Sequence, residues 1–378
     1  MTRRPRAFPR RLVAVAVVVA AVTVAHVAPA GARTPSRCPD TCGFVLGRGG
    51  ITLIDVPSAV TPVPPQTAAT RRRPPPGEGA GGFLYRKGRF TPVARISGAG
   101  EFQLHYAIND SGETAGSYVD QGVPLGPNGY PGEALHAFVK DRHGRLTRFD
   151  VPGEGTELPQ GLNDKGQIAG IYLDAAGVQT GFVRDRNGKI TTIALSAIGT
   201  KARDINDRGD VVGIYADPAA NELGYVISGY LRHRSGKVTT IALPGGRETS
   251  PYAIDDLGRI VGSYFDPGVT QDPDGHYPAG TLHGFVWVDG RVITLDVPGA
   301  LATAAHDIND SGRVVGGYID AGGRQHGFVY EKGRYTTIDA PRPFDPFAMG
   351  SIATGVNDRG EVVVPEPVIA LSTPRQGS

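Results

Sequence analysis

The feature that most constrains this chain is a turn that recurs six times in order. The copies are Asn109-Asp110-Ser111-Gly112, Asn163-Asp164-Lys165-Gly166, Asn206-Asp207-Arg208-Gly209, Asp255-Asp256-Leu257-Gly258, Asn309-Asp310-Ser311-Gly312 and Asn357-Asp358-Arg359-Gly360, spaced by 54, 43, 49, 54 and 48 residues. A unit of that length buries an apolar face only by stacking on its neighbours. Each unit reads as four short strands. The first ends at the recurring turn, and the second is apolar and ends in Tyr-x-Asp, as at 314–320. The third opens on His-Gly-Phe or a relative, as at 326–330, and the fourth follows a Gly turn, as at 335–339. Thr, Val, Ile and Tyr suit a pleated, half-buried surface. No segment sustains a helical period, and 54 Gly with 31 Pro in 378 residues fit many short strands joined by tight turns.

The ends of the array carry split units. Residues 82–93 match the third and fourth strands, and 352–364 match the first and second. Two such halves complete one sheet, which joins the array into a ring and removes exposed sheet edges. The expected fold is therefore all-β: a β-propeller of four-stranded blades, closed by N- and C-terminal half-blades, with 82–364 as the repeat domain. Six blades are preferred. Seven is the alternative, because 43–57 holds one more copy of the third-and-fourth-strand half, followed by a Pro/Arg-rich linker at 58–81. Residues 365–378 read as a tail, and the innermost strand is left open.

The unit resembles the HAF repeat of a family of extracellular bacterial proteins. His136-Ala137-Phe138 carries the motif, and His283-Gly284-Phe285 and His326-Gly327-Phe328 are close variants. Units two and three depart from it, with Thr180-Gly181-Phe182 and Gly229-Tyr230. The resemblance implies secretion and a repeat fold. It implies no activity.

Residues 1–32 have the pattern of a cleaved signal peptide: a basic start at Arg3, Arg4, Arg6, Arg10 and Arg11, an apolar run from Leu12, and small residues at 28–32. A secreted, extracellular chain is expected, with no membrane span after cleavage. The whole chain has 39 Lys and Arg against 37 Asp and Glu. Without residues 1–32 the balance is 34 against 37, so no long-range pull toward nucleic acid is expected. Cys38 and Cys42, the two cysteines, are expected to form a disulfide in an oxidising compartment; zinc would need two further ligands.

Chemistry has several candidate seats. Successive strands alternate in direction, so the connections after Tyr-x-Asp and between units share one face. They vary in length, with long insertions at 121–135, 216–229 and 267–282, and variable loops on a rigid frame are where binding sites usually lie. Tyr130 and Glu133 in the first insertion, and Asp272, Asp274, His276 and Tyr277 in the longest, are the unit-specific binding candidates. Each unit also places an Asp at the end of its second strand (Asp120, Asp174, Asp217, Asp266 and Asp320), and three place a His across from it (His136, His283 and His326). These pairs fit a metal or proton-transfer role, or a repeated hydrogen bond that orders strand ends. Repetition favours the hydrogen bond, since catalysis needs one asymmetric constellation. The Asn-Asp-x-Gly turns lack the distal Glu of a calcium loop and suffice as turns. No metal or cofactor is expected.

The expected function is a non-catalytic binding or scaffold module, monomeric, which meets an extracellular polysaccharide, protein or other ligand through the variable face. The alternative is a propeller enzyme, such as a metal-assisted lyase, a lactonase or a glycosidase, with its site at the mouth of a central channel. No Gly-x-Ser-x-Gly elbow, His-Glu-x-x-His pair or phosphate loop supports the enzyme.

Overall fold

The protein was analysed as a computed structural model, which describes residues 42–47, 50–55, 80–94, 96–97, 99–123, 135–151, 158–218, 225–243, 248–269, 278–339 and 351–364. Residues 1–32, Cys38 and the six unit-specific candidates, Tyr130, Glu133, Asp272, Asp274, His276 and Tyr277, lie outside them, as does the side chain of Cys42.

Every described element is a strand, and the sheets are antiparallel and four-stranded in design. Among the described residues, strands β1 (Cys42–Gly47) and β2 (Gly50–Asp55) pair only with each other, as a two-stranded sheet. Strands β3 (Ala80–Arg86) and β4 (Arg89–Ala94) begin the array, two residues inside the stretch expected to be linker. Unit one is β5 (Ala99–Ile108), β6 (Thr114–Asp120), β7 (Leu135–Lys140) and β8 (Leu146–Phe149). Unit two is β9 (Leu158–Leu162), β10 (Ile168–Leu173), β11 (Gln179–Arg184) and β12 (Ile190–Ile193). Unit three is β13 (Thr200–Ile205), β14 (Val211–Pro218), β15 (Tyr225–Arg232) and β16 (Val238–Ile241). Unit four is β17 (Thr249–Ile254), β18 (Ile260–Phe265), β19 (Leu282–Val288) and β20 (Arg291–Leu295). Unit five is β21 (Ala302–Ile308), β22 (Val314–Ile319), β23 (Gln325–Glu331) and β24 (Arg334–Ile338). Strands β25 (Gly355–Val356) and β26 (Val362–Val364) end the array.

Units one to three are four-stranded sheets, one parallel pairing, Leu282 with Ala302, joins units four and five, and an isolated parallel bridge runs from Ile227 of unit three to Glu248, just before unit four. The last sheet runs β25-β26-β3-β4, with Val363 opposite Leu84, so it draws two strands from each end of the array. The first strand of each sheet packs on the first strand of the next, and β25 packs on β5. That identifies the first strand as the inner one.

The apolar cores sit between successive sheets. Ala107, Ala137 and Phe149 of unit one meet Ile168, Tyr172 and Phe182 of unit two in one cluster. Val315 and Ile338 of unit five meet Val356, Val362, Tyr85 and Phe90 of the composite sheet in another. Within each unit a glycine of the second strand faces an aromatic of the third: Gly116 with Phe138, Gly170 with Phe182, Gly213 with Tyr230, Gly262 with Phe285 and Gly316 with Phe328. A Cβ on Gly316 would overlap the carbonyl of Ala304 and the Phe328 ring, so the fully buried ring needs glycine beneath it.

One expected insertion is largely strand. Residues 216–218 and 225–229 continue the β14–β15 ladder out to Pro218 opposite Tyr225, because the pairing register runs on without interruption. Asp217 is therefore the next-to-last residue of β14, paired with Val226 inside the ladder.

Candidate functional site

The recurring turns are joined to one another. The backbone N–H of each second-position Asp donates to the carboxylate of the next: Asp110 to Asp164, Asp164 to Asp207, Asp207 to Asp256, Asp256 to Asp310, Asp310 to Asp358 and Asp358 to Asp110, at 2.6–2.9 Å. The first-position Asn side chains make a second series, each Nδ2 donating to the next turn's carbonyl, including Asn357 to Asn109. The Asp255 side chain has no N–H to give, and Arg259, ion-paired to it, donates to Asn309 O in its place at 3.3 Å. Each first-position side chain also accepts from the backbone N–H four residues on, as in Glu113 to Asn109 at 2.9 Å, and Gly takes the left-handed position, at φ 78° for Gly112. The Asp carboxylates are thus occupied by amides, and among the described residues no three of His, Cys, Asp and Glu converge as a metal-ligand group.

Behind these turns lies a cavity of about 120 Å³ that residues of all six first-strand segments line. A repeated frame could have furnished it with six copies of one side chain. Instead, the third residue before each turn is Tyr106, Gln160, Arg203, Tyr252, His306 or Thr354, and all six face the cavity. The cause is local. In β5, β9, β13, β17 and β21 that residue is skipped in the pairing register, a β-bulge between Ala107 and His105, Gly161 and Pro159, Asp204 and Ala202, Ala253 and Pro251, and Asp307 and Ala305. A bulged residue leaves the alternation of the strand and is re-aimed, which is why bulges gather beside functional sites.

Three of these side chains form a stack across three sheets. The Arg203 guanidinium lies 4.0 Å from the centre of the Tyr252 ring, and Tyr252 stacks on His306 at 4.9 Å and 27°. Burial and the Arg203 charge push the His306 imidazole down to about 4, so it is neutral at physiological pH. Burial, and then the same charge, bring Lys201 down to about 8, which leaves it cationic near neutrality. Arg203 Nη1 is shielded from solvent and has no hydrogen-bond acceptor among the described residues. Thr354 Oγ1 is in the same condition. Nine carboxylates among the described residues border the cavity: Asp255 and the six second-position Asp residues of the turns, engaged as described above, and Asp204 and Asp307, which accept backbone amides. Asp204 Oδ2 accepts from Ile254 N at 2.9 Å, and Asp307 accepts from Val356 N at 2.6 Å and from Ile308 N at 2.8 Å. Burial lifts Asp204 to about 6; burial, and then the Asp204 charge, lift Asp307 well above the carboxylate range.

The strand-end candidates meet in hairpin pairs. His136 Nε2 lies 3.2 Å from Asp120. His283 lies 2.8 Å from Asp296 and 3.3 Å from Asp266, and His326 lies 2.9 Å from Asp339 and 3.1 Å from Asp320. In unit two Thr180 replaces the His and donates to Asp174 at 3.3 Å. The same Asp174 and Asp320 carboxylates accept the backbone N–H groups of their own turns. These groups tie three strand ends together and lie apart from the inner cavity.

Sequence reasoning passed over the inner six. Their signal was present: one column of unlike residues, three before the turn, within an otherwise repeated unit.

No protein-family model and no curated protein matches the sequence. Among solved structures the chain is similar to TolB from Acinetobacter baumannii, at 12% identity and TM-score 0.41, over 62% of this chain and 61% of TolB. It is similar to an acylaminoacyl peptidase from Pyrococcus horikoshii, at 12% identity and TM-score 0.42, over 69% of this chain and 46% of that one. It is also similar to the β-propeller domain of the Trilobed protease from Pyrococcus furiosus, at 12% identity and TM-score 0.40, over 66% and 79%. The chain thus spans less than two-thirds of the first two proteins. No helix among the described residues is long and apolar enough to cross a membrane.

Proposed function

We propose that the protein is a closed, six-bladed β-propeller of the HAF-repeat type, exported and monomeric, that acts as a binding module. Its recognition site is the inner cavity, where Arg203 takes the anionic group of a small polar ligand or of a protruding chain end. The turn-to-turn hydrogen bonds that return from Asn357 and Asp358 to Asn109 and Asp110 support ring closure. The basic, apolar and small-residue order of 1–32 supports export.

One observation carries the site: a guanidinium N–H, buried without an acceptor, at a repeated position whose six copies are of five residue types. A buried unpaired donor costs roughly 1–3 kcal/mol, and an incoming carboxylate or sulfate oxygen recovers it. Arg203 is the one Lys or Arg among the described lining residues, and Lys201, outside that lining, adds a second positive charge beside it. The cavity volume sets the scale of that occupant. About 120 Å³ holds a charged group or a few waters, well short of the roughly 300 Å³ that encloses a drug-sized ligand.

The test is a thermal-shift and calorimetric screen of free uronic acids, amino acids, sulfated monosaccharides and their neutral counterparts. An anionic member should stabilise the wild type, and Arg203→Gln should lose at least about tenfold in affinity, the loss of one charge-assisted hydrogen bond. Raising the pH through 8 should weaken binding, because Lys201 then loses its proton and its charge. Binding of neutral compounds alone, or equal binding by Arg203→Gln, would overturn the assignment. The enzyme reading has one observation in its favour, the Asp204 carboxyl lifted to about 6. Turnover of a compound in the same screen, lost in Asp204→Asn, would replace binding with catalysis.

A further inference from the structure

A second concavity lies on the side of the recurring turns, between the sheets of units two and three, and shares Ile205 and Asp207 with the lining of the inner cavity. It measures about 410 Å³, and five cations border it: Lys165, Arg186, Arg208, Arg232 and Arg234. Two carboxylates, Asp185 and Asp207, face them, and both are engaged. Asp185 Oδ1 accepts from the N–H groups of Asn187 and Lys189 in its own turn, and Asp207 Oδ1 accepts from Asp164 N.

The cations are placed by details particular to these two units. Lys165 donates to the carbonyl of Asp207. In unit three the residue four after the Asn is Asp210, where units one and two and the composite sheet have Glu113, Gln167 and Glu361 bonded back to their own Asn. Asp210 Oδ1 accepts Arg234 N at 3.0 Å, and Oδ2 lies 3.4 Å from Arg208 Nε, so one buried carboxylate sets both arginines at the groove. The stems of Arg186 and Arg234 lie over Gly166 and Gly209, the left-handed residues of the recurring turns. The side chains of Arg186, Arg232 and Arg234 make no hydrogen bond or ion pair among the described residues.

We propose that this groove binds an anionic polysaccharide, with its sulfate or uronate groups on Arg186, Arg232 and Arg234. Three cations without partners in a concave site favour a polyanion. Neighbouring Asn187, Gln167 and Thr191 offer amide and hydroxyl partners for sugar hydroxyls. Among the described residues no aromatic side chain lines the groove, so they give no platform on which nucleic-acid bases could stack.

The experiment measures binding of the full chain to heparin oligosaccharides, alginate oligosaccharides, neutral dextran and single-stranded DNA at low and high salt. The expected result is binding of a charged glycan and not of dextran, weakened at least tenfold at 0.5 M salt, as screening of an exposed charged site requires. Arg186→Gln/Arg232→Gln/Arg234→Gln should lose at least tenfold, whereas Arg203→Gln should bind as the wild type does. That contrast separates the groove from the inner cavity. If the triple variant does not fold, the exposed single variants Arg186→Gln and Arg234→Gln should each show a smaller loss. The proposal is overturned if neither charged glycan binds at low salt, if the groove variants bind unchanged, or if DNA is preferred with the same dependence on these arginines.

Discussion

Asp255 stands where the other five turns have Asn, and its neighbourhood shows how one residue's chemistry is balanced. An Asn at this position donates to the next turn and to the residue four places on, as Asn163 does to Asn206 O and Gln167. A carboxylate donates nothing. Arg259 takes over by pairing with Asp255 and reaching Asn309 O and Asp310 O itself. Both side chains are almost fully buried, at 4% and 0% exposure. Removing one partner of such a pair leaves an uncompensated charge, so Arg259→Gln should cost about 3 kcal/mol. The double variant Asp255→Asn/Arg259→Gln recreates the Asn163 and Gln167 arrangement and should recover most of that loss. Urea denaturation of the three proteins decides it; equal instability of the single and double variants would mean that the pair is not the unit of compensation.

At the scale of the element, the second strand is set by what it must lie beneath. Its central glycine accepts a buried aromatic of the third strand across the ladder, in all five complete units. A methyl group at Gly316 meets both the Ala304 carbonyl and the Phe328 ring, neither of which can yield without opening the sheet. Gly316→Ala should therefore destabilise the protein by about 3 kcal/mol, at the upper end for an overpacked site. The exposed turn glycine Gly122, where an added Cβ meets nothing, is the control, since only its φ of 86° opposes a side chain and the loss should stay near 1 kcal/mol. The midpoint of thermal unfolding separates the two. The first strand follows a different rule. Its bulge frees one residue from the alternation, so the repeat can keep its core and its turn while the cavity column varies.

For the whole molecule, the composite sheet is the decisive joint. Strands β25 and β26 complete the sheet of β3 and β4, bury Val362 to Val364, and carry the two turn residues bonded back to unit one. In the proposed ring, deleting everything after residue 350 removes this joint and bares the edge of β3. The shortened chain should lose its single cooperative unfolding transition and form soluble oligomers, because an open edge templates pairing with other chains. Size-exclusion chromatography with light scattering measures this directly. A monomeric truncated protein with an unchanged unfolding midpoint would rule out closure through the composite sheet.

Much of this was legible in the residues alone. Period, strand content, the four-strand unit and the complementary halves follow from local chemistry: turn residues at fixed offsets, apolar runs of strand length, and unpaired half-units at both ends. The Asp–His proximity at strand ends also followed from hairpin pairing. Other features needed distances between residues 43 to 248 positions apart. Which strand is innermost, that the Asn-Asp-x-Gly turns bond to one another as well as bending the chain, and that Arg203, Tyr252 and His306 stack are all relations between sheets. A repeat states what each unit is, and only packing states which of its faces meet. The recurring turn therefore determined the β array by itself, while tertiary structure chose the cavity, because a bulge in the inner strand turns a column of the repeat that the period leaves free toward its counterparts.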